Sequence, residues 1–423
     1  MVFFKSAFLF GFLGKSKLRE KEQKSQQQHY TGQPPHGYYN NIKINPLFQK
    51  VSYENIFNFK QLKVKNSTAI QTTGLSIENF LREGISAITV DVRSPKEFAN
   101  GHIPSAINIP LFDDHERAEI GTLYKIKGKE EAVLRGIEIV SPKLADFIKS
   151  VKEKSGAAGK VCVYCFRGGM RSGSFCWLME TAGLTPLKLE GGYKTYRNKV
   201  LNTFKQKHHF CLVGGPTGSG KTDVIKELLK LNAQTIDLEG LANHKGSAFG
   251  FIGQEKQPAQ QQFENNLHVA FNALNSNSII FLEDESFSIG HVQLPYDLWQ
   301  QMKAAPIVKL QMPFDLRVKR LVAEYGQTSI EVLRKPLLAI KTRLGPQHCK
   351  TALEHLERGE MDKVAAITLH YYDKAYEFSH KKRKYENVFV VNTETDNPAT
   401  NAQLIYNFVN ESSFQKKFAS ANG

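Results

Sequence analysis

Short apolar runs alternate with amphipathic stretches along most of this chain. AITVDV (87–92), VCVYC (161–165) and PLKLEGG (186–192) are apolar segments bounded by polar residues, with the helix-like SPKLADFIKSVKEK (141–154) and SGSFCWLMETAG (172–183) between them. Strands alternating with helices predict an α/β layer on a mostly parallel sheet. The rhythm restarts at FCLVGG (210–215), followed by a helix over 221–231, a helix over 258–275 and a strand at SIIFLE (278–283). PIVKLQM (306–312) and DLRVKRLVAEY (315–325) continue it as strand and helix, so a second α/β domain is expected. From about Ser329 to Lys384 the apolar residues recur at three- and four-residue steps without strands, predicting helices. VFVVN (388–392) then reads as a last strand and 400–410 as a closing helix. The expected divisions are a leader at 1–74, domains at 75–207 and 208–328, a helical region at 329–386, and a segment at 387–423 that returns to the second domain and ends in a frayed tail.

Composition narrows the class. The 423 residues are 41% apolar and 23% charged, which excludes wholesale disorder, a collagen-like repeat and a polytopic membrane protein. The net charge of +15 points to a polyanionic partner. Residues 1–74 hold 11 basic and 3 acidic residues, so about half of that excess sits in the leader. Its apolar start, MVFFKSAFLFGFLG, is far shorter than the roughly 18–20 residues of a membrane span. It reads as a disordered extension or an organelle-targeting segment, with the cytoplasm as the default location. Five irregularly spaced cysteines make no disulfide framework, so a reducing compartment is expected.

Cys165 ends a strand and is followed by Phe166, Arg167, Gly168, Gly169, Met170 and Arg171, after which a helix begins. A strand that turns through glycines into a helix points several backbone N–H groups into one concavity, an anion cradle. Arg167 and Arg171 reinforce it, and the same field favours a nucleophilic thiolate at Cys165. Phosphate-ester hydrolysis and sulfur-group transfer both suit such a centre. Cys162 and Cys165 form a C-x-x-C, but side chains three apart on a strand face opposite ways and cannot bridge.

Gly215-Pro-Thr-Gly218-Ser-Gly220-Lys221-Thr222 is a G-x-x-x-x-G-K-T loop between an apolar strand and a helix. Its amides suit a diphosphate, with Lys221 reaching terminal phosphoryl oxygens and Thr222 sitting on Mg²⁺. SIIFLEDES supplies an acidic strand end where Asp284, or Glu283, would hold the metal through its water shell. DLEGLANHKGSAFG (237–250) is dense in Gly, Asn and His and is expected to be a substrate-contacting loop, with His244 at the surface.

Upstream of Cys165, Asp91-Val-Arg93-Ser-Pro-Lys-Glu-Phe98 and Gly101-His-Ile-Pro-Ser-Ala-Ile-Asn-Ile-Pro110 resemble the rhodanese superfamily. That resemblance implies Cys165 as carrier of a persulfide or perselenide, with Asp91 and Arg93 supporting the cradle. The Cys-to-Arg171 loop counts seven residues rather than six, which resembles the rhodanese-fold phosphatases. FDDHERAEIGTLYK (112–125), YCFRGGMRSGSF (164–175), LEGGYKTYR (189–197), GGPTGSGKT (214–222), DLEGLANHKGSAFG, QPAQQQFEN (257–265) and LEDESFSIG (282–290) together resemble the tRNA 2-selenouridine synthase family. In that family the long loop is usual, with Phe166 here in place of Trp. The resemblance implies a transferase that replaces the sulfur of 2-thiouridine at the tRNA wobble position by selenium, with selenophosphate as donor. It also implies a geranylated thio-intermediate formed from geranyl diphosphate, with no tightly bound cofactor. The alternatives are a rhodanese-fold phosphatase or sulfurtransferase coupled to a P-loop NTPase, and a nucleotide-switched tRNA-binding protein. Arg317, Lys319 and Arg320, with the run His380-Lys381-Lys382-Arg383-Lys384, are the candidate tRNA phosphate contacts. The oligomeric state is not legible.

Overall fold

The computed structural model describes residues 74–156, 159–275, 277–381 and 388–415. The leader falls on residues 1–73, outside the described residues, as do Lys382, Arg383 and Lys384 and the tail from 416.

The first half of the described chain opens with β1 (Gly74–Leu75), α1 (Ile77–Glu83), β2 (Ile88–Asp91), α2 (Pro95–Asn100) and β3 (Ile107–Asn108). Next come α3 (Asp114–Ile126), α4 (Lys129–Val140), α5 (Leu144–Ser155), β4 (Lys160–Tyr164), α6 (Met170–Thr181), β5 (Thr185–Leu189) and α7 (Gly192–Thr203). Its five strands form a parallel sheet in the order β1-β5-β4-β2-β3. Local chemistry sets several boundaries. Ser94 and Glu97 form a capping box with Pro95 at the first turn of α2, and Asp113 and Glu116 do the same for α3. Helices α3 and α4 were not legible as elements, because α3 buries no residue and α4 buries only Ala132 and Gly136. Without a buried stripe there is little periodic signal.

The second half begins with β6 (His209–Gly214), α8 (Lys221–Lys230), β7 (Gln234–Ile236), α9 (Leu238–Ala242), α10 (Gln260–Asn272) and β8 (Ile279–Glu283). A small antiparallel pair, β9 (Ser288–Ile289) and β10 (Val292–Gln293), precedes α11 (Tyr296–Ala304), β11 (Ile307–Gln311) and α12 (Phe314–Tyr325). Helices α13 (Ile330–Ala339), α14 (Lys341–Leu344), α15 (Pro346–Glu357) and α16 (Met361–Lys381) follow, then β12 (Val388–Asn392) and α17 (Pro398–Asn410). The second parallel sheet runs β12-β11-β6-β8-β7, with α17 packed on α8. The 237–250 segment is not all loop: the Asp237 side chain accepts from the Gly240 N–H and caps α9.

Both sheets belong to one compact unit. One apolar cluster joins them, running from Tyr164, Tyr193 and Phe204 on the first sheet's side to Phe210, Phe263 and Phe271 on the second's. Val90, Val163 and Phe175 form a separate core on the first sheet's other face, and Cys211, Val224 and Ile405 one on the second's. Among the described residues no helix is long and apolar enough to cross a membrane.

Candidate functional site

In both sheets the chemistry-bearing residues lie at the carboxyl ends of strands whose connections depart in opposite directions, the crevice where open α/β sheets bind ligands. In the first sheet these strands are β2 and β4, with Asp91 in register with Tyr164. In the second, β6 is flanked by β8 and β11, with Val213 paired to Glu283.

Cys165 is 3% exposed, its Sγ 3.2 Å from the Ser172 Oγ. Gly169 precedes α6 and no side chain caps that helix, leaving its first N–H groups open to an anion beside the thiol. The loop rests on backbone: the Tyr193 N–H donates to the Cys165 carbonyl at 2.9 Å and the Lys194 N–H to that of Phe166 at 3.0 Å. Only glycines fit underneath. Gly168 and Gly192 have φ of +65°, and a Cβ on Gly192 would stand 2.3 Å from the Cys165 oxygen. Arg167 is exposed at the mouth. Arg171 is tied to Glu97 at 2.7 Å, so it reaches the cradle as half of an ion pair. Burial alone would raise the Glu97 carboxyl, but the Arg171 hydrogen bond and charge hold it below its ordinary value.

Asp91 and Arg93 support the cradle from one strand away. They form a buried ion pair at 2.6 Å, and Arg93 also donates to the Gly101 carbonyl at 2.7 Å. Its guanidinium lies 3.8 Å from the centre of the Tyr193 ring, and Tyr193 holds the cysteine loop. Cys162 faces the cluster between the sheets whereas Cys165 faces the opposite core, as strand alternation requires. Burial pushes the Cys162 and Cys176 thiols up to about 12, which leaves them inert at neutral pH.

At the second centre Gly215, Gly218 and Gly220 all take positive φ, wrapping the loop around the start of α8. Lys221 folds back on the Gly215 carbonyl at 3.3 Å, within the phosphate cradle. Thr222 donates to Glu239, a carboxylate the motif did not flag, carried on α9 by the DLEG turn. Glu283 is corrected. It is fully buried, its Oε2 accepts from the Leu238 N–H, and burial followed by the Asp237 and Glu239 charges pushes its carboxyl well up. Asp284 and Glu285 line the cavity instead. Burial and the Glu239 charge push Glu285 up to about 8, although part of its side chain stays accessible.

The helical region closes this cavity of about 1320 Å³. The Gly215 N–H donates to the Tyr376 hydroxyl at 2.8 Å, and Arg317 braces the loop through the Thr217 carbonyl while paired with Asp373. Arg317 is 5% exposed and Arg320 is paired with Asp223, so of that trio only Lys319 stands open to an external polyanion. His244 is also corrected: it is buried against Gly250, where a Cβ would come within 2.8 Å of the ring. Among the described residues no three His, Cys, Asp or Glu side chains converge as a metal-ligand set.

Sequence comparison meets these two centres in the same order. Residues 78–199 match the Rhodanese-like domain, and residues 208–335 match the family described as tRNA 2-selenouridine synthase AAA domain. The tRNA 2-selenouridine synthase of Cupriavidus pinatubonensis is 36% identical over 336 residues, spanning 71% of this chain and 90% of its own. The chain belongs to the tRNA 2-selenouridine synthase family. The Serratia proteamaculans synthase is 34% identical over 71% of this chain and 88% of its own, and that of Azotobacter vinelandii 40% identical over 56% and 64%. The matched residues span both the cysteine loop and the phosphate loop, and in this chain the two domains are held together by direct contacts. Arg197 binds Glu264 and Asn265, and the His102 N–H donates to Gln262 at 2.9 Å.

Proposed function

We propose that this enzyme replaces the 2-thio group of a tRNA wobble uridine with selenium, taking selenium from selenophosphate and passing through an S-geranyl intermediate made from geranyl diphosphate. The observation that carries this reading is the shape of the phosphate cavity. Its lining combines the 215–222 loop and charged side chains such as Asp284 and Arg320 with apolar and aromatic ones: Phe249, Met361, Val364, Ala365, Tyr371 and Phe378. A cradle that reads a diphosphate beside a wall that takes a hydrocarbon suits a prenyl diphosphate.

In the first step the uridine sulfur bonds to the geranyl C1, the C1–O bond breaks and diphosphate leaves. Lys221 and the loop amides take up the charge that develops on the departing oxygens. Mg²⁺, where bound, adds further neutralisation of that charge; the hard oxygen donors of Thr222 and Asp284 suit it, completed by phosphate and water. In the second step the Cys165 thiolate adds at C2 and geranylthiol leaves with a proton, and a selenium nucleophile at the selenide level then adds at the same carbon and expels the thiolate. Water supplies the oxygen for the phosphate released from selenophosphate, so no oxidant or reductant is consumed. The amides before α6 and Arg167 hold the tetrahedral anion next to Cys165, the nucleophile of this centre. A reducing compartment, the cytoplasm by default, suits this reading because the described cysteines are all free thiols.

Calorimetric titration with geranyl diphosphate and with ATP, on wild type and Lys221→Ala, tests the assignment. Geranyl diphosphate should bind the wild type, and Lys221→Ala should weaken it by roughly 10–100-fold through loss of a charge-assisted hydrogen bond. Tight ATP binding without geranyl diphosphate binding overturns it.

A further inference from the structure

The cysteine centre has a feature that an oxyanion does not need. Cys165, Phe166, Arg167 and Gly169 form one end of a cleft of about 1480 Å³, many times larger than a tetrahedral anion. Apart from the cysteine loop, its walls are mostly apolar and come from α3, α4 and α6. Phe175 and Leu178 are buried in its lining, while Ile137 and Trp177 stand 60% and 62% exposed along it. Helices α3 and α4 pack on each other yet bury almost nothing, so their apolar side chains are displayed rather than used for a core. All four charged residues that line the cleft, Arg117, Lys125, Arg167 and Arg171, are basic; Arg117 and Arg171 share the Glu97 carboxylate, so Lys125 and Arg167 carry its open positive charge. An apolar channel that is continuous with a nucleophilic cysteine and bordered by cations fits a ligand with a hydrocarbon tail and a polyanionic carrier.

We infer that this cleft holds the alkyl chain carried on the reacting sulfur of the RNA, with the sulfur presented to Cys165 and the phosphates at the basic rim. The inference rests on the reading above, in which that sulfur is alkylated. It gives the two cavities separate duties: the phosphate cavity receives the chain as a free diphosphate, and the α3–α4–α6 cleft receives it once attached to RNA.

The test is binding of two anticodon stem-loop RNAs, one with S-geranyl- and one with S-methyl-2-thiouridine, to the full chain without a selenium donor. The geranyl RNA should bind at least about 50-fold more tightly, a fraction of the full transfer value of nine more carbons because the cleft is open on one side. Ile137→Asp and Trp177→Ala should each cut that ratio about tenfold or more, and both alter exposed side chains, so folding is checked by an unchanged denaturation midpoint. Lys221→Ala should leave the ratio intact. Equal binding of the two RNAs overturns the inference, as does a ratio that survives both cleft substitutions or collapses in Lys221→Ala. Since no turnover occurs, failure of selenium exchange is read separately, by whether wild type converts the geranyl RNA once selenophosphate is added.

Discussion

The Asn265 side chain, on α10 of the phosphate-loop domain, donates at 2.8 Å to the hydroxyl of Tyr193, whose own backbone N–H holds the Cys165 carbonyl. One residue therefore joins the phosphate-loop domain to the cysteine loop. Asn265 is fully buried, also donates to the His102 carbonyl at 2.8 Å, and accepts from Arg197 at 2.6 Å. Asn265→Leu removes all three bonds and strands buried polar partners, at about 1–3 kcal/mol each. Chemical denaturation should show a loss of at least about 3 kcal/mol, and selenium exchange should fall while geranyl diphosphate binding is retained.

The glycines beneath Cys165 give a sharper test. A methyl group on Gly192 would meet the Cys165 oxygen at 2.3 Å and the Gly168 nitrogen at 2.4 Å, on a backbone at φ +65°. Gly192→Ala should cost about 1–3 kcal/mol in a urea melt and lower exchange at least tenfold by shifting the cysteine loop. Retention of full exchange would mean that the loop's position is not critical.

His268 is 1% exposed, with Thr203 on its Nδ1 and Asn272 on its Nε2. Burial, aided by the Lys199 and Arg197 charges, lowers it to about 4. Its folded value lies below its unfolded one, so between roughly pH 4 and 6.5 the unfolded chain binds the extra proton and stability is lost as pH falls through that window. The contribution is on the order of 3 kcal/mol. Urea midpoints measured from pH 7 to 4 should fall in wild type and fall less in His268→Gln.

How much of this was readable in the sequence follows from range. Cys165 with its glycine turn and the 215–222 loop are local motifs, so strand, turn and helix signals sit together and place themselves. Glu283 and Asp284 were indistinguishable because adjacent strand residues alternate faces, and only the sheet's register says which one turns inward. The partners that complete each centre come from far along the chain: Tyr376 lies 161 residues from Gly215, and Asn265 lies 72 from Tyr193. Arg317 illustrates the opposite error. Its basic neighbours suggested a surface for RNA, whereas burial and the Asp373 pair turn it into a brace for the phosphate loop.

Separation of the two centres is the central claim, and nucleoside mass spectrometry of 2-thiouridine tRNA incubated with geranyl diphosphate and selenophosphate tests it most directly. Wild type should yield 2-selenouridine. Cys165→Ser should stop at the S-geranyl nucleoside, and Lys221→Ala should leave most 2-thiouridine untouched yet convert S-geranyl RNA supplied to it. Wild type that leaves 2-thiouridine unchanged, or a Cys165→Ser protein that still makes 2-selenouridine at the wild-type rate, would contradict it.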